Sequence, residues 1–432
     1  MSIPLDRLYN FLDSLSDHNL IIYRWAPHGS KKLEDLVGLC DYLATDPVKV
    51  AISPQMICHD QEPLNSAYYD ANLLLTMFAQ RLGKFTGLPE SSQKIRELAN
   101  ARLANWPTKI VNTYNIHDRV LLLHSEQNGP ELATYRQLGC IPVYYWSHAV
   151  IARDWFRYAQ HDPELDRESI TTDFLIYNRA WQGTREYRLK FAELVIQSGL
   201  VANCKMGFAA TDGDTDYRTH TFHNPRLQNT TNNIEKYFFS NHADSNSSAD
   251  YVNSDYQSCG IEVVLETLFD DSRWHLTEKT LRPIACGQPF ILAATAGSLT
   301  YLRNYGFRTF DQYIDESYDQ IQDPIKRLHA IVALMKSISL MPMEQKQTLF
   351  RNMKKICKHN RKRFFSHAFA QQVLDEYCTN LSTGLQEMQQ HRTGIGFCSA
   401  MRNSQQLNVL PWPKLMSRGE CANIWLALKR GS

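Results

Sequence analysis

The stretch HLTEKTLRPIACGQPFILAA, His275–Ala294, decides how this chain is read. It follows IEVVLETLF, an apolar run of strand character. Within it TEKTLRPIACG reads as a helix and QPFILAA as a second strand. Strand, helix, strand at this spacing needs a crossover connection, so the strands lie parallel in an α/β sheet. Thr277 is a good N-cap, and Glu278 in the first turn suits the positive end of the helix dipole. Lys279 does not, because a cation there opposes the dipole. It makes physical sense if an anion such as a phosphate sits over the helix end, with Arg282 one turn on as a second cation. Glu278 would then bond the hydroxyls of a sugar or ribose. The competing reading is an ordinary capped surface helix.

Outward from this block the alternation continues. TDFLIYNRAW, REYRLKFAELVIQSGL and CKMGFAA read as strand, amphipathic helix and strand, and SLTYLRNYG reads as a helix. The polar segment between Phe239 and Gly260 reads as a long surface loop, and the chain from about Asp323 to His391 as helical. Nearer the N-terminus, LIIYRW, KVAIS, RVLLLHSE and CIPVYYWSHA read as strands among helical stretches. HDPELDRESITT, His161–Thr172, is polar and charged with a proline, and reads as a domain junction. The expected architecture is α/β: two facing Rossmann-like domains, residues 1–165 and 166–340, with a helical C-terminal part, residues 341–432. In open α/β sheets ligands bind beyond the carboxyl ends of strands, so function is expected in the loops that follow them.

Composition sets the bounds. A chain of 432 residues is long for one core, and 43% hydrophobic with 21% charged residues is ordinary for a soluble globular protein. The net charge of +1 gives no global pull toward nucleic acid or membrane, though it leaves room for a local basic face. Ten scattered cysteines without a C-x-x-C pair argue against a zinc site or a secreted disulfide framework, and for a reducing cytoplasm. MSIPLDRLYNFLDSL carries acids and is no signal peptide, and no apolar run approaches the ~20 residues of a membrane span. A cytoplasmic protein without membrane contact is expected.

A second cationic loop stands in IYNRAWQGTREYRL, Ile176–Leu189. Arg179 and Arg185 flank Gly183 between a strand and a helix, where a phosphate clamp is expected, and the planar guanidinium fork suits phosphate oxygens. The competing reading pairs them with acids such as Glu186. Arg188, on the helix, reads as structural.

The pattern LETLFDDSRWHLTEKTLRPIACGQPFI resembles the nucleotide-sugar motif of α1,3-fucosyltransferases. Glu266 matches its first glutamate, Glu278 and Lys279 its acid–base pair, and Gly287 and Pro289 the end of the block. It differs in a longer loop before Thr277 and in lacking Asn-Ser after Glu266, so the donor sugar stays open. From about Cys58 to Phe365 the chain resembles proteins of large tailed phages that look like GT-B glycosyltransferases. The matching blocks are HDQEPL, LLLHSE, YYWSHAVIARDWFRYAQ, LIYNRAWQGTREYRL, the Thr-Glu-Lys block and YLRNYGFRTFDQYIDESYD. Some such phage proteins resemble enzymes that attach sugars to modified cytosine in DNA.

The resemblance implies transfer of a sugar from a nucleotide-sugar donor to a hydroxyl, best placed on a hydroxylated or hydroxymethylated pyrimidine of double-stranded phage DNA. Arg179, Arg185, Glu266, Glu278, Lys279 and Arg282 form the expected donor-binding set. The alternatives are a saccharide or protein acceptor, or a non-catalytic phage protein that only binds nucleic acid.

An inverting transfer needs a base for the acceptor proton. The candidates are Asp60 and Glu62 of HDQEPL, Glu126 of LLLHSE (with His124 two residues before it), and His148 after the strand CIPVYYW. The acids of HDQEPL also read as helix caps, and Trp146, Trp155 and Tyr158 around His148 read as core or interface. The acidic segments TDGDTD (Thr211–Asp216) and GFRTFDQYIDESYDQIQD (Gly306–Asp323) lack metal-site spacing and read as solvated loops, so no essential metal or other cofactor is expected. Finally, RNMKKICKHNRKRFF, Arg351–Phe365, carries seven Lys and Arg residues and no acid. Arg351, Lys354, Lys355, Lys358 and Lys362 fall near one helical face that would meet DNA phosphates, unless it is simply solvated.

Overall fold

The computed structural model of the protein describes residues 21–24, 120–130, 132–133, 140–166, 169–240 and 251–390. Asp60, Glu62 and the KVAIS strand lie outside the described residues. The chain forms two compact units. One holds the chain up to Ser147 with the segment that begins at Val373, and the other holds His148–Gln372.

In the first unit β1 (Ile21–Arg24), β2 (Val120–His124) and β3 (Cys140–Tyr144) form a parallel sheet in that order. Pro142 lies in β3, the last described strand, where a missing ladder donor is tolerated. Helix α1 (Ser147–Trp155) follows.

The second unit takes in α1 from His148 on and continues with β4 (Thr172–Ile176), α2 (Tyr187–Gln197) and β5 (Cys204–Phe208). A hairpin, β6 (Thr211–Asp212) and β7 (Thr215–Asp216), leads to β8 (Phe239–Ser240) and α3 (Asn253–Ser258). Then come β9 (Cys259–Leu265), α4 (Glu278–Cys286), β10 (Phe290–Ala293) and α5 (Ser298–Asn304). The helices α6 (Pro324–Ser339) and α7 (Met343–Phe365) follow, and α8 (His367–Gln390), which belongs to the first unit from Val373 on, completes the described chain.

The strands pair in the order β10-β9-β4-β5-β8, all parallel. The chain therefore winds outward from β4 through β5 to β8, then returns to the other side of β4 with β9 and β10. That reversal makes the gap between β4 and β9 the switch point of a doubly wound sheet. All seven residues of β9 are buried, as a parallel strand covered on both faces requires. Helix α4 ends where Gly287 takes φ 70° and returns its N–H to the Ile284 carbonyl, a left-handed cap that a side chain disfavours.

Three expectations change. The segment after Phe239 is not one surface loop: it contains β8 and α3, and buried Asp255 of α3 accepts from Tyr177 Oη (2.7 Å) and Lys205 Nζ (2.5 Å). The second unit begins at His148 rather than within His161–Thr172, because Arg153 of α1 binds the carbonyls of Phe364 and Ser366 and draws this segment in. Residues 341–372 also belong to that unit. Helix α7 packs on α4, and its buried Lys346 pairs with Asp173 of β4 at 2.9 Å. Among the described residues no helix is long and apolar enough to cross a membrane, and no group of three or more His, Cys, Asp or Glu is placed to hold a metal ion.

Candidate functional site

The loop from β9 to α4 lies on one side of the switch point, and a buried carboxylate organises it. Glu266 Oε1 accepts from Thr277 N (2.9 Å), Thr280 N (3.2 Å) and Thr280 Oγ1 (2.5 Å), and Oε2 from Thr277 Oγ1 (2.7 Å) and Thr267 N (3.1 Å). Thr277 Oγ1 in turn accepts from Lys279 N at 3.3 Å. The Lys279 and Thr280 amides in the first turn of α4, groups of the kind that capture an anion, are thus already engaged by the protein's own hydroxyl and carboxylate. This corrects the expectation for Glu266. It is fully buried and braces the helix start instead of facing a sugar.

The same arrangement explains Lys279. Its Nζ lies 2.8 Å from Glu278 Oε1 and 3.3 Å from the hydroxyls of Thr267 and Thr277. Burial pushes the amine below the usual lysine range, while Glu278 and Glu266 pull it back. The cation in the first turn answers internal carboxylates, and its side chain remains 16% exposed. Glu278 is fully buried between two partners: its Oε2 lies 3.2 Å from His148 Nδ1. The His148 ring meets the His275 ring edge-on, centroids 4.9 Å apart. Two residues expected in separate domains, His148 as a base and Glu278 as a donor ligand, are therefore neighbours in one unit.

The other side of the switch point is the loop from β4 to α2. Arg188 of α2 is buried and donates to the carbonyls of Ala180 (2.6 Å), Leu265 (2.6 Å) and Glu266 (3.1 Å), so it ties the two loops together. Its structural role matches its position on the helix. Asp212 at the hairpin accepts from Trp181 N and Gln182 N, both at 2.8 Å, so TDGDTD anchors this loop instead of being only solvated. Arg179 and Arg185 are half-buried in the loop, and Arg185 Nε donates to Gln182 O at 3.3 Å. Glu186, offered above as their acidic partner, instead accepts from the amides of His223 (2.9 Å) and Asn224 (2.8 Å).

Arg282 is a correction too. It is buried, pairs with Glu262 of β9 at 2.7 Å and lies over the Tyr177 ring at 4.1 Å. Burial works against its charge, but Glu262, Tyr256 and Tyr177 outweigh that and hold its pKa above the usual arginine value. The pattern that places it one turn from Lys279 carries no sign of Glu262, whose carboxylate sits in an otherwise apolar strand.

In the first unit, His124 closes β2 and Glu126 follows it, both buried, with the His124 ring edge-on to Tyr144 at 5.8 Å. Trp146 and Trp155 are buried. The acidic segment Gly306–Asp323 is not simply solvated, since Asp319 and Glu316 turn inward. Asp319 accepts from Leu299 N near the start of α5 at 3.3 Å. On α7, Lys355, Lys358 and Lys362 are exposed, whereas Lys354 is half-buried and donates to Gln288 Oε1 at 3.2 Å. Lys354 therefore leaves the expected nucleic-acid face, and exposed Arg351 remains on it.

Sequence reasoning missed Asp212, Glu262 and His275. Only Asp212, an acid just past a strand end opposite a helix-bearing loop, had a local signal. Compared with known protein families, with curated proteins and with solved structures, the chain matches none.

Proposed function

We propose that the protein is a nucleotide-sugar-dependent glycosyltransferase of GT-B type, with the second unit holding the donor. The observation that supports this most is the pair of loops at the β4–β9 switch point, joined by Arg188, which carry Arg179 and Arg185 on one side and Lys279 on the other. Lys279 already faces Glu278, and in this reading the guanidinium forks of Arg179 and Arg185 join the exposed edge of Lys279 in neutralising a diphosphate. Glu278 acts through its neighbours. It orients Lys279 and the His148 ring rather than meeting sugar hydroxyls itself.

In this reading the first unit presents the acceptor. A carboxylate there, Glu126 or one of Asp60 and Glu62, takes the acceptor proton as the oxygen attacks the anomeric carbon. The bond to the diphosphate breaks and its electron pair leaves with the phosphate oxygen, stabilised by the arginines without an essential metal. The acceptor is proposed to be a hydroxylated or hydroxymethylated pyrimidine in DNA.

The test is to incubate the protein with UDP-, GDP- and CDP-linked sugars, each with plain DNA and with DNA carrying modified pyrimidines. Nucleotide release that needs one donor and the modified base supports the reading. Release with a saccharide or protein acceptor moves the acceptor elsewhere. A protein that binds no donor overturns it.

A further inference from the structure

We propose that the exposed face of α7 is a docking surface for the phosphate backbone of duplex nucleic acid, formed by Arg351, Lys355, Lys358 and Lys362. At 100° per residue these positions fall within an arc of about 60°, and at 1.5 Å per residue they extend over about 17 Å of helix. All four side chains are exposed. The opposite face of the helix is filled by buried Phe350, Met353, Ile356, Cys357, Asn360 and Phe364. The helix is thus fixed as a rigid rod with its cations outward.

The remaining cations of the segment are used internally, which sharpens the contrast. Lys354 bonds Gln288, Arg361 bonds Asp166 at 3.2 Å and the Ala159 carbonyl, and Arg363 bonds the Tyr305 carbonyl at 3.0 Å. The four outward cations have no acid partner among the described residues, and residues 345–366 contain no acid. On a chain with net charge +1, such a run is a local departure and not a consequence of a basic protein.

Charge and shape together select the occupant. A duplex presents one phosphate charge per roughly 1.7 Å of axis, so a rod of four cations over about 17 Å can engage several phosphates along a groove. An anionic membrane is less suited, because basic helices hold membranes through an apolar face inserted among the lipids, and here that face is buried in the protein core. The contacts carry no base specificity, as backbone contacts position rather than specify.

The inference concerns a surface and does not depend on the identity of the donor site. Binding of a short labelled duplex is measured by anisotropy between about 50 and 200 mM salt, for the wild type and for the variant R351Q/K355Q/K358Q/K362Q. Circular dichroism and donor-dependent nucleotide release report on folding and on the donor site. If all four residues engage phosphates, the slope of log affinity against log salt falls by about 3.6 in the variant, and affinity at low salt drops more than about tenfold. The single variant Lys358→Gln, which removes one exposed charge, should lower the slope by about 0.9. Unchanged affinity and slope in a folded quadruple variant overturn the inference, as does a wild type that binds anionic vesicles but no duplex. Either result leaves donor turnover as a separate readout, so this surface and the transferase reading fail independently.

Discussion

The Nδ1 of His148 lies 3.2 Å from Oε2 of Glu278, and neither side chain has any exposure. On its other side the same carboxylate holds Lys279 at 2.8 Å. Glu278→Gln keeps the shape and removes the charge, leaving the Lys279 ammonium without its nearest counter-charge. Breaking a buried pair costs about 3 kcal/mol, so the variant should unfold at a clearly lower urea midpoint. Adding Lys279→Met should restore much of that loss. A single variant as stable as the wild type contradicts the pairing.

Glu266 is predicted to matter more for the helix than for any ligand. It accepts from two amides and a hydroxyl through Oε1, and from an amide and a hydroxyl through Oε2. Glu266→Ala strips those donors of their acceptor, at about 1–3 kcal/mol for each buried group left unsatisfied. Hydrogen exchange at Thr277 and Thr280 should accelerate before global unfolding. Exchange unchanged at both amides contradicts the brace.

Arg188 and Arg185, three residues apart, are predicted to behave oppositely. Arg188→Lys loses the fork that reaches the carbonyls of Ala180, Leu265 and Glu266, and should cost about 2 kcal/mol or more of stability. Arg185 is half-buried in the loop and donates to the Gln182 backbone carbonyl, away from the buried core that Arg188 spans, so Arg185→Gln should leave the Tm within a few degrees. Its effect should appear as a donor KM raised about tenfold or more, the worth of one charge-assisted contact. Thermal melts with donor titrations separate the two roles.

Asp319 gives a pH signature. Burial pushes its carboxyl up to about 6, from the usual 3.8. The folded protein therefore binds its proton more tightly than the unfolded chain does. The contribution is fully present below about pH 4 and is lost as pH rises through about 6, amounting to about 3 kcal/mol. Asp319→Asn has no such proton, so its stability relative to wild type should rise by that order between the two pH values. Urea titrations at several pH values measure the difference; parallel profiles contradict it.

Much of the second unit was legible because its strands are short apolar runs and its helices carry a regular apolar face. β4, α2, β5, β9, α4 and β10 stand where the pattern places them. The parallel α/β class follows from that alternation. What was not legible depends on tertiary partners. The periodicity of α4 shows that Arg282 and Lys279 lie one turn apart, but only the sheet beneath shows Glu262 waiting for Arg282. A polar stretch such as VNSDYQS looks like loop until Asp255 finds Tyr177 and Lys205, 78 and 50 residues away. Likewise the pattern shows that Lys279 stands against the helix dipole and calls for a counter-charge, but only the folded chain shows Glu278 and Glu266 beside it.

The most direct test of the central claim is calorimetric titration of the wild type and of the variant R179Q/R185Q with a panel of nucleotide sugars. The account predicts that one donor binds the wild type, that the matching nucleoside diphosphate competes, and that the folded variant loses at least about tenfold in affinity. A folded wild type that binds no nucleotide sugar, or a variant that binds its donor equally well, contradicts it.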